Sequence, residues 1–135
     1  MDKVFISGSF DKLHSGHITF MKRAAEYGDL HVGIGSDLSI EKFKGKKPVC
    51  TQEERLFMVK SIRYVKSARI NSGEGPLDFI EDVLLLKPDV LVVNDDQHST
   101  SKALFCHRYG IRYIVLERTQ EPGLPPRSTT THREL

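Results

Sequence analysis

Two histidines three residues apart, His14 and His17, stand inside Gly8-Ser9-Phe10-Asp11-Lys12-Leu13-His14-Ser15-Gly16-His17, directly after the apolar run Val4-Phe5-Ile6. Imidazole donates or accepts hydrogen bonds near neutral pH without the permanent charge of lysine. Gly16 lets the backbone approach a ligand with no Cβ in the way, and Gly8 with Ser9 suits a tight turn. The order of residue types reads as a buried strand, a turn, and a helix with Ile18, Phe20, Met21 and Ala24 on its inner face. A helix N-terminus carries unpaired N–H donors and roughly half a positive charge, so the segment suits polyphosphate. The histidines alone leave three readings: phosphate ligands, a satisfied structural pair, or two metal ligands. Zinc is disfavoured, because no third or fourth ligand at metal-site spacing accompanies them.

The elements that must position this turn alternate along the chain. Residues 4–7 form the first strand and 16–27 the first helix, stopped by Gly28. A second strand, 30–34, ends at Gly35-Ser36-Asp37. A polar loop at 41–49 follows, crowded with Lys42, Lys44, Lys46 and Lys47 around Gly45. Such a loop suits a lid that orders when anions arrive. Thr51 with Glu54 reads as a capping box for a helix carrying Leu56, Val59 and Ile62. Residues 68–70 make a short strand, and Phe79, Ile80, Val83 and Leu84 repeat at helical spacing. The unbroken run Val90-Leu91-Val92-Val93 suits a central parallel strand covered on both faces. A helix over 102–109 and a strand over 112–116 complete the series. Alternation of this kind implies an α/β fold on a parallel sheet. Ligands of such sheets gather beyond the C-terminal strand ends, where Gly8 to His17, Gly35 to Asp37, Asn94 to Asp96 and the loop after Leu116 all fall.

The chain has 135 residues, enough for one domain, and a net charge of +2 from 20 basic and 18 acidic side chains. So even a balance argues against a nucleic-acid coat or a membrane-surface binder. Cys50 and Cys106 belong to no C-x-x-C pair, which favours two reduced thiols. No apolar stretch approaches the roughly 20 residues that span a bilayer. With no basic-then-apolar leader, the expected location is cytoplasmic.

Gly8-Ser9-Phe10-Asp11 and His14-Ser15-Gly16-His17 resemble the G-x-F-D-x-x-H-x-G-H motif of the cytidylyltransferase-like nucleotidyltransferase superfamily. Glu53-Glu54-Arg55 resembles that family's middle arginine segment, and Arg127-Ser128-Thr129-Thr130 its (R/I)-S-(S/T)-T motif. The likeness covers nearly the whole chain. It is nearest in look to the glycerol-3-phosphate type and to sugar-phosphate and archaeal flavin-nucleotide relatives. It implies one nucleotidyltransferase domain over 1–135, on a Rossmann-like, doubly wound, five-stranded parallel sheet in the order 3-2-1-4-5 with helices on both faces. The activity implied is transfer of a nucleoside monophosphate from CTP to a small phosphorylated alcohol or sugar, with release of pyrophosphate. Two alternatives are ATP-dependent adenylyl transfer to a flavin or sugar phosphate, and a non-catalytic nucleotide-binding module.

The resemblance also implies roles. His14 and His17 hold the triphosphate and its developing charge, with Lys44 and Arg118 as further catalytic cations. Gly8, Ser9, Phe10, Asp11, Gly16, Arg55, Asn94, Asp95, Asp96, Arg127, Ser128, Thr129 and Thr130 fall on the nucleotide side. Lys46 and Asp37 fall on the acceptor side. Mg2+ accompanies the triphosphate, with no ligand set from the protein alone and Asp11 either ordering the turn or reaching the ion through water. A homodimer is implied, since Ile62-Arg63-Tyr64-Val65 matches a segment near the family's interface; nucleic acid and membrane are not expected partners. The chain departs from the glycerol-phosphate pattern at Asn94, where those relatives carry glycine, and at 97–102, which replaces a tryptophan and a glycine-lysine. Asparagine tolerates positive φ, so a glycine-type turn could persist there. Gly123-Leu124-Pro125-Pro126 is a longer insertion that reshapes the acceptor pocket.

Overall fold

The computed structural model describes residues 2–126. Five parallel strands, β1 (Lys3–Gly8), β2 (Asp29–Ile34), β3 (Val65–Ile70), β4 (Val90–Asn94) and β5 (Arg112–Leu116), form one sheet in the order β3-β2-β1-β4-β5. Five helices connect them: α1 (Ser15–Ala24), α2 (Asp37–Lys44), α3 (Gln52–Lys60), α4 (Ile80–Leu86) and α5 (Thr100–Arg108). The fold is the expected doubly wound α/β sheet. No helix among the described residues is long and apolar enough to cross a membrane.

Side chains alternate across the central strands, which is why β1 and β4 need unbroken apolar runs. Val4 and Ile6 of β1 with Val90 and Val92 of β4 pack beneath Phe20, Met21 and Ala24 of α1 and Val59 of α3. Phe5, Leu91 and Val93 face the opposite way, onto Phe79, Val83 of α4 and Cys106 of α5. Each fully buried side chain of this size contributes about 1.5–3 kcal/mol, so both helical layers are held to the sheet by ordinary burial. β3 lies at an edge and exposes Lys66, Ser67 and Arg69, charged and polar residues that suit an unpaired edge.

Several boundaries differ from the sequence reading. The lysine segment is not all loop: α2 runs to Lys44, capped by Ser36 Oγ accepting from Ser39 N (3.1 Å) and ended by Gly45 at φ 76°. Asp37 in its first turn and Lys42 and Lys44 in its last suit the helix dipole, so the charge run is helix-compatible. The first helix is one of ten residues, continued by a 3-10 turn (Ala25–Tyr27). β3 is longer than expected because its outer residues pair with β2 without being apolar. Thr51 does cap α3, accepting from Glu54 N at 3.2 Å.

Candidate active site

A cleft of about 600 Å³ opens beyond the C-terminal ends of the strands, over the point between β1 and β4 where the winding reverses. Doubly wound sheets leave their ligand crevice there, because connections depart in opposite directions from adjacent strands. Gly8, Ser9 and Phe10 line it after β1, Gly35 after β2, Asn94, Asp96 and Gln97 after β4, and Arg118 after β5. Gly16, His17 and Lys44 complete the contribution of the sequence-derived candidates.

The turn after β1 is strained and closely packed. Phe10 and Lys12 adopt φ of 50° and 51°, sparsely populated for side-chained residues. Phe10 is folded so far under the turn that a Cβ on Gly8 would lie 2.9 Å from its ring. The same ring meets His17 edge-on at 5.6 Å. His14 is the N-cap of α1: its Nδ1 accepts from Gly16 N at 3.1 Å, while His14 N donates to His17 Nδ1 at 3.2 Å. The two imidazoles stack with centroids 3.8 Å apart and planes 24° from parallel. Because each Nδ1 accepts a backbone hydrogen, each neutral ring carries its own proton on Nε2 and presents that N–H as a donor.

That arrangement occupies two amides at the start of α1. Gly16 N is used by the His14 ring and His17 N by the His14 carbonyl (3.1 Å), so these amides are not bare. His17 lines the cleft, whereas His14 is only 8% exposed and lies behind it.

Arg55, Asp11 and Asp37 lie beneath the site and are not among the residues lining the cleft. Arg55 is 0% exposed, and its guanidinium donates to Cys50 O (3.1 Å), Ser9 O (2.8 Å), Gly35 O (2.7 Å) and Asp37 Oδ1 (2.8 Å). One planar fork thereby ties the ends of β1 and β2 to the first turn of α2 and the approach to α3. The Asp11 carboxylate accepts from Val49 N (2.7 Å), Cys50 N (2.9 Å) and Lys12 N (3.2 Å). Partial burial pushes its pKa up, but those amides and the nearby Arg55 outweigh it and hold the carboxyl below its ordinary value. Asp11 therefore orders the turn. No group of three or more His, Cys, Asp or Glu among the described residues could hold a metal ion.

The remaining candidates divide. Lys44 reaches the cleft from the last turn of α2, but Lys46 lies outside it. Arg118 pairs with Asp96 at 2.5 Å, and both line the cleft. Asn94 keeps an extended backbone, φ −75° and ψ 158°, so the turn after β4 does not need the positive φ that asparagine would have allowed. Asp95 is exposed and off the cleft wall. Arg127, Ser128, Thr129 and Thr130 lie outside the described residues.

A cytidylyltransferase-like family model matches residues 5–130. The chain belongs to the cytidylyltransferase-like family. It is 41% identical to an FAD synthase of Pyrococcus horikoshii over 97 residues, 70% of this chain and 64% of that one. An FAD synthase of Pyrococcus abyssi is 39% identical over 104 residues, 76% of this chain and 68% of the relative. The bifunctional protein HldE of Helicobacter pylori is 37% identical over 95 residues, which span 69% of this chain and 20% of HldE. The matched segment thus falls short of the full length of each relative. Among solved structures, the lipopolysaccharide core biosynthesis protein of Thermoplasma volcanium superposes with a TM-score of 0.72 at 27% identity, covering 90% of this chain and 98% of the other. The pantothenate synthetase of Thermus thermophilus, at 12% identity and TM-score 0.63, shares the fold; 99% of this chain and 64% of that one are covered.

In this cytidylyltransferase-like chain, sequence reasoning missed part of the cleft wall: Ser39 and Phe43 of α2, Asp78 before α4, and Lys102 in α5. Burial raises the Asp78 carboxyl and lowers the Lys102 ammonium, each against its own charge. A sequence signal existed for Asp78 alone, an acid set directly before the apolar residues Phe79 and Ile80.

Proposed function

We propose that this chain is a nucleotidyltransferase whose donor is ATP and whose acceptor is a small phosphate monoester. An acceptor phosphate oxygen attacks the α-phosphorus; a new P–O bond forms, the bond to the bridging oxygen breaks, and pyrophosphate leaves in line. The acceptor phosphate is already ionised at pH 7, so no general base is required. Catalysis then rests on alignment and on donors aimed at the oxygens where charge develops. The stacked His14–His17 pair carries this reading, because each ring accepts a backbone N–H at Nδ1 and the His17 ring lines the cleft with His14 stacked behind it. Lys44 and Arg118 add positive charge along the same cleft.

Likeness to the two FAD synthases supports ATP, since FAD carries an adenylyl group. The expectation of CTP rested on the glycerol-phosphate pattern, from which Asn94 and residues 97–102 depart. Magnesium travels on the triphosphate and neutralises it, in keeping with an Asp11 whose oxygens are taken by backbone amides. Residues 1–135 act as one domain, and the likeness of Ile62 to Val65 to the family's interface segment supports a homodimer.

The test is pyrophosphate release with each of the four triphosphates against flavin, sugar and polyol phosphates. Release with ATP and at least one acceptor is expected. Release with CTP alone would restore the cytidylyl reading, and none with any pair would leave a nucleotide-binding module.

A further inference from the structure

Asp78 and Lys102 face the cleft from two connections that no motif singled out. Asp78 is 9% exposed and lies near the end of the segment between β3 and α4, yet it does not cap α4, whose cap residue is Phe79. Lys102 is half-buried in the first turn of α5 and uses one N–H on Gln97 O at 2.9 Å. The Asp78 carboxylate accepts from the Asn71 side chain, Lys102 also feels Asp96, and each feels the other's charge, but neither joins the ion pairs formed among the described residues.

Two desolvated opposite charges held apart on a cavity wall are a poor stabilising device, since apolar residues of equal volume are often as good. They suit a ligand group that both donates and accepts. Phosphate only accepts and would be repelled by Asp78. A hydroxyl offers both functions, giving its hydrogen to the carboxylate and a lone pair to the ammonium. The edge of a base offers both as well, and KM for ATP is the readout that tells it from a hydroxyl.

Their position agrees. Asn94 and Asp96 occupy the β4 side of the cleft, and the histidine turn lies at its centre. The opposite wall is built by α2 docked on the 71–79 segment, through Gly75 N to Ser39 Oγ (3.1 Å) and Lys42 to Glu74 (2.8 Å). Asp78 lies in that segment and Lys102 of α5 lines the cleft from the β4 side, so an acceptor between the two walls meets both.

We propose that Asp78 and Lys102 are the specificity-determining pair for the acceptor, selecting a polyhydroxylated phosphate monoester by bridging one or more of its hydroxyls. The shared chemistry is a polyol chain bearing a phosphate, carried by a sugar phosphate or by the ribityl phosphate of a flavin. The inference rests on the transferase reading above and adds the two residues that choose its acceptor.

The near-isosteric variants Asp78→Asn and Lys102→Met test it, with thermal denaturation confirming that both fold. Steady-state kinetics with ATP would use glycerol 3-phosphate, a hexose 1-phosphate, flavin mononucleotide and, as a hydroxyl-free control, ethyl phosphate. Each variant should raise KM for the preferred hydroxylated acceptor about tenfold or more, the loss of a hydrogen bond to a charged group. KM for ATP and turnover of ethyl phosphate should not change. Which hydroxylated acceptor loses most separates the sugar from the flavin source. Unchanged acceptor KM in both variants, or a rise in KM for ATP instead, overturns the pair's role while the transferase reading stands. A wild-type protein that releases no pyrophosphate with any acceptor overturns both.

Discussion

His14 holds two functions that can be separated. Its ring caps α1 through Nδ1 and also braces the His17 ring that faces the cleft. Asparagine is a good N-cap but has no second ring nitrogen to offer an oxyanion. His14→Asn should therefore keep the thermal midpoint near that of the parent while turnover falls about 100-fold, the usual effect of removing one such donor. His14→Ala should lose both, with about 1 kcal/mol of stability gone along with the cap. Equal melting losses in the two variants would show that the ring's stacking, and not its cap, matters to the fold. His17→Ala should cut turnover about 100-fold or more, since its ring lines the cavity. The strand, the turn and the helix start around the two histidines were legible from residue type and spacing. The capping role of His14 was not, because imidazole is an unusual cap and Nδ1 acceptance depends on the turn made by Phe10 and Lys12.

At the scale of elements, the site depends on Arg55 binding four segments that are distant in sequence. Removing its side chain leaves Asp37 without its partner and three carbonyls short of a donor. Arg55→Met should cost about 3–5 kcal/mol in denaturant unfolding, the range for breaking a buried charge pair. Arg55→Lys should recover only part of this, since a point charge cannot span the fork. A loss below 1 kcal/mol would show the guanidinium to be dispensable to the scaffold.

Asp11 makes the complementary prediction for acid. Its folded pKa lies below the ordinary 3.8, so its contribution is present above that value and fades as pH falls through the depressed one. Asp11→Asn should flatten the decline of stability below about pH 4, read from denaturation at fixed pH. An unchanged acid slope would mean that the three amide contacts carry no linkage. The sequence did not reveal Arg55 as buried, because arginine is mostly exposed and its partners come together only in the fold. α2 was missed for a different reason: four lysines read as a solvated loop, although Ser36 was a usable start signal and Gly45 a usable stop.

For the whole molecule, alternating strand and helix patterns made the architecture readable, since both faces of β1 and β4 must be apolar when helices cover them. The cleft's far wall was less readable, because it forms where α2 meets the segment before α4, and nothing local in either encodes the meeting. Cys106 reports on how these parts hold together. It is 0% exposed in the layer under α5, and burial pushes its thiol up to about 11. In a Cys50→Ser background, a thiol reagent at pH 8 should label Cys106 only through openings that lift α5 from the sheet. Because α5 carries Lys102 and follows Asn94 and Asp96, such openings dismantle the cleft wall beside β4. Ligand at 100 times its Kd adds about 2.7 kcal/mol to the closed state, so ATP with magnesium should slow labelling about 100-fold. Slowing by ATP ties the α5 layer to the triphosphate site through one cooperative unit. Labelling that is indifferent to saturating ATP would place nucleotide binding elsewhere than the β1–β4 switch point.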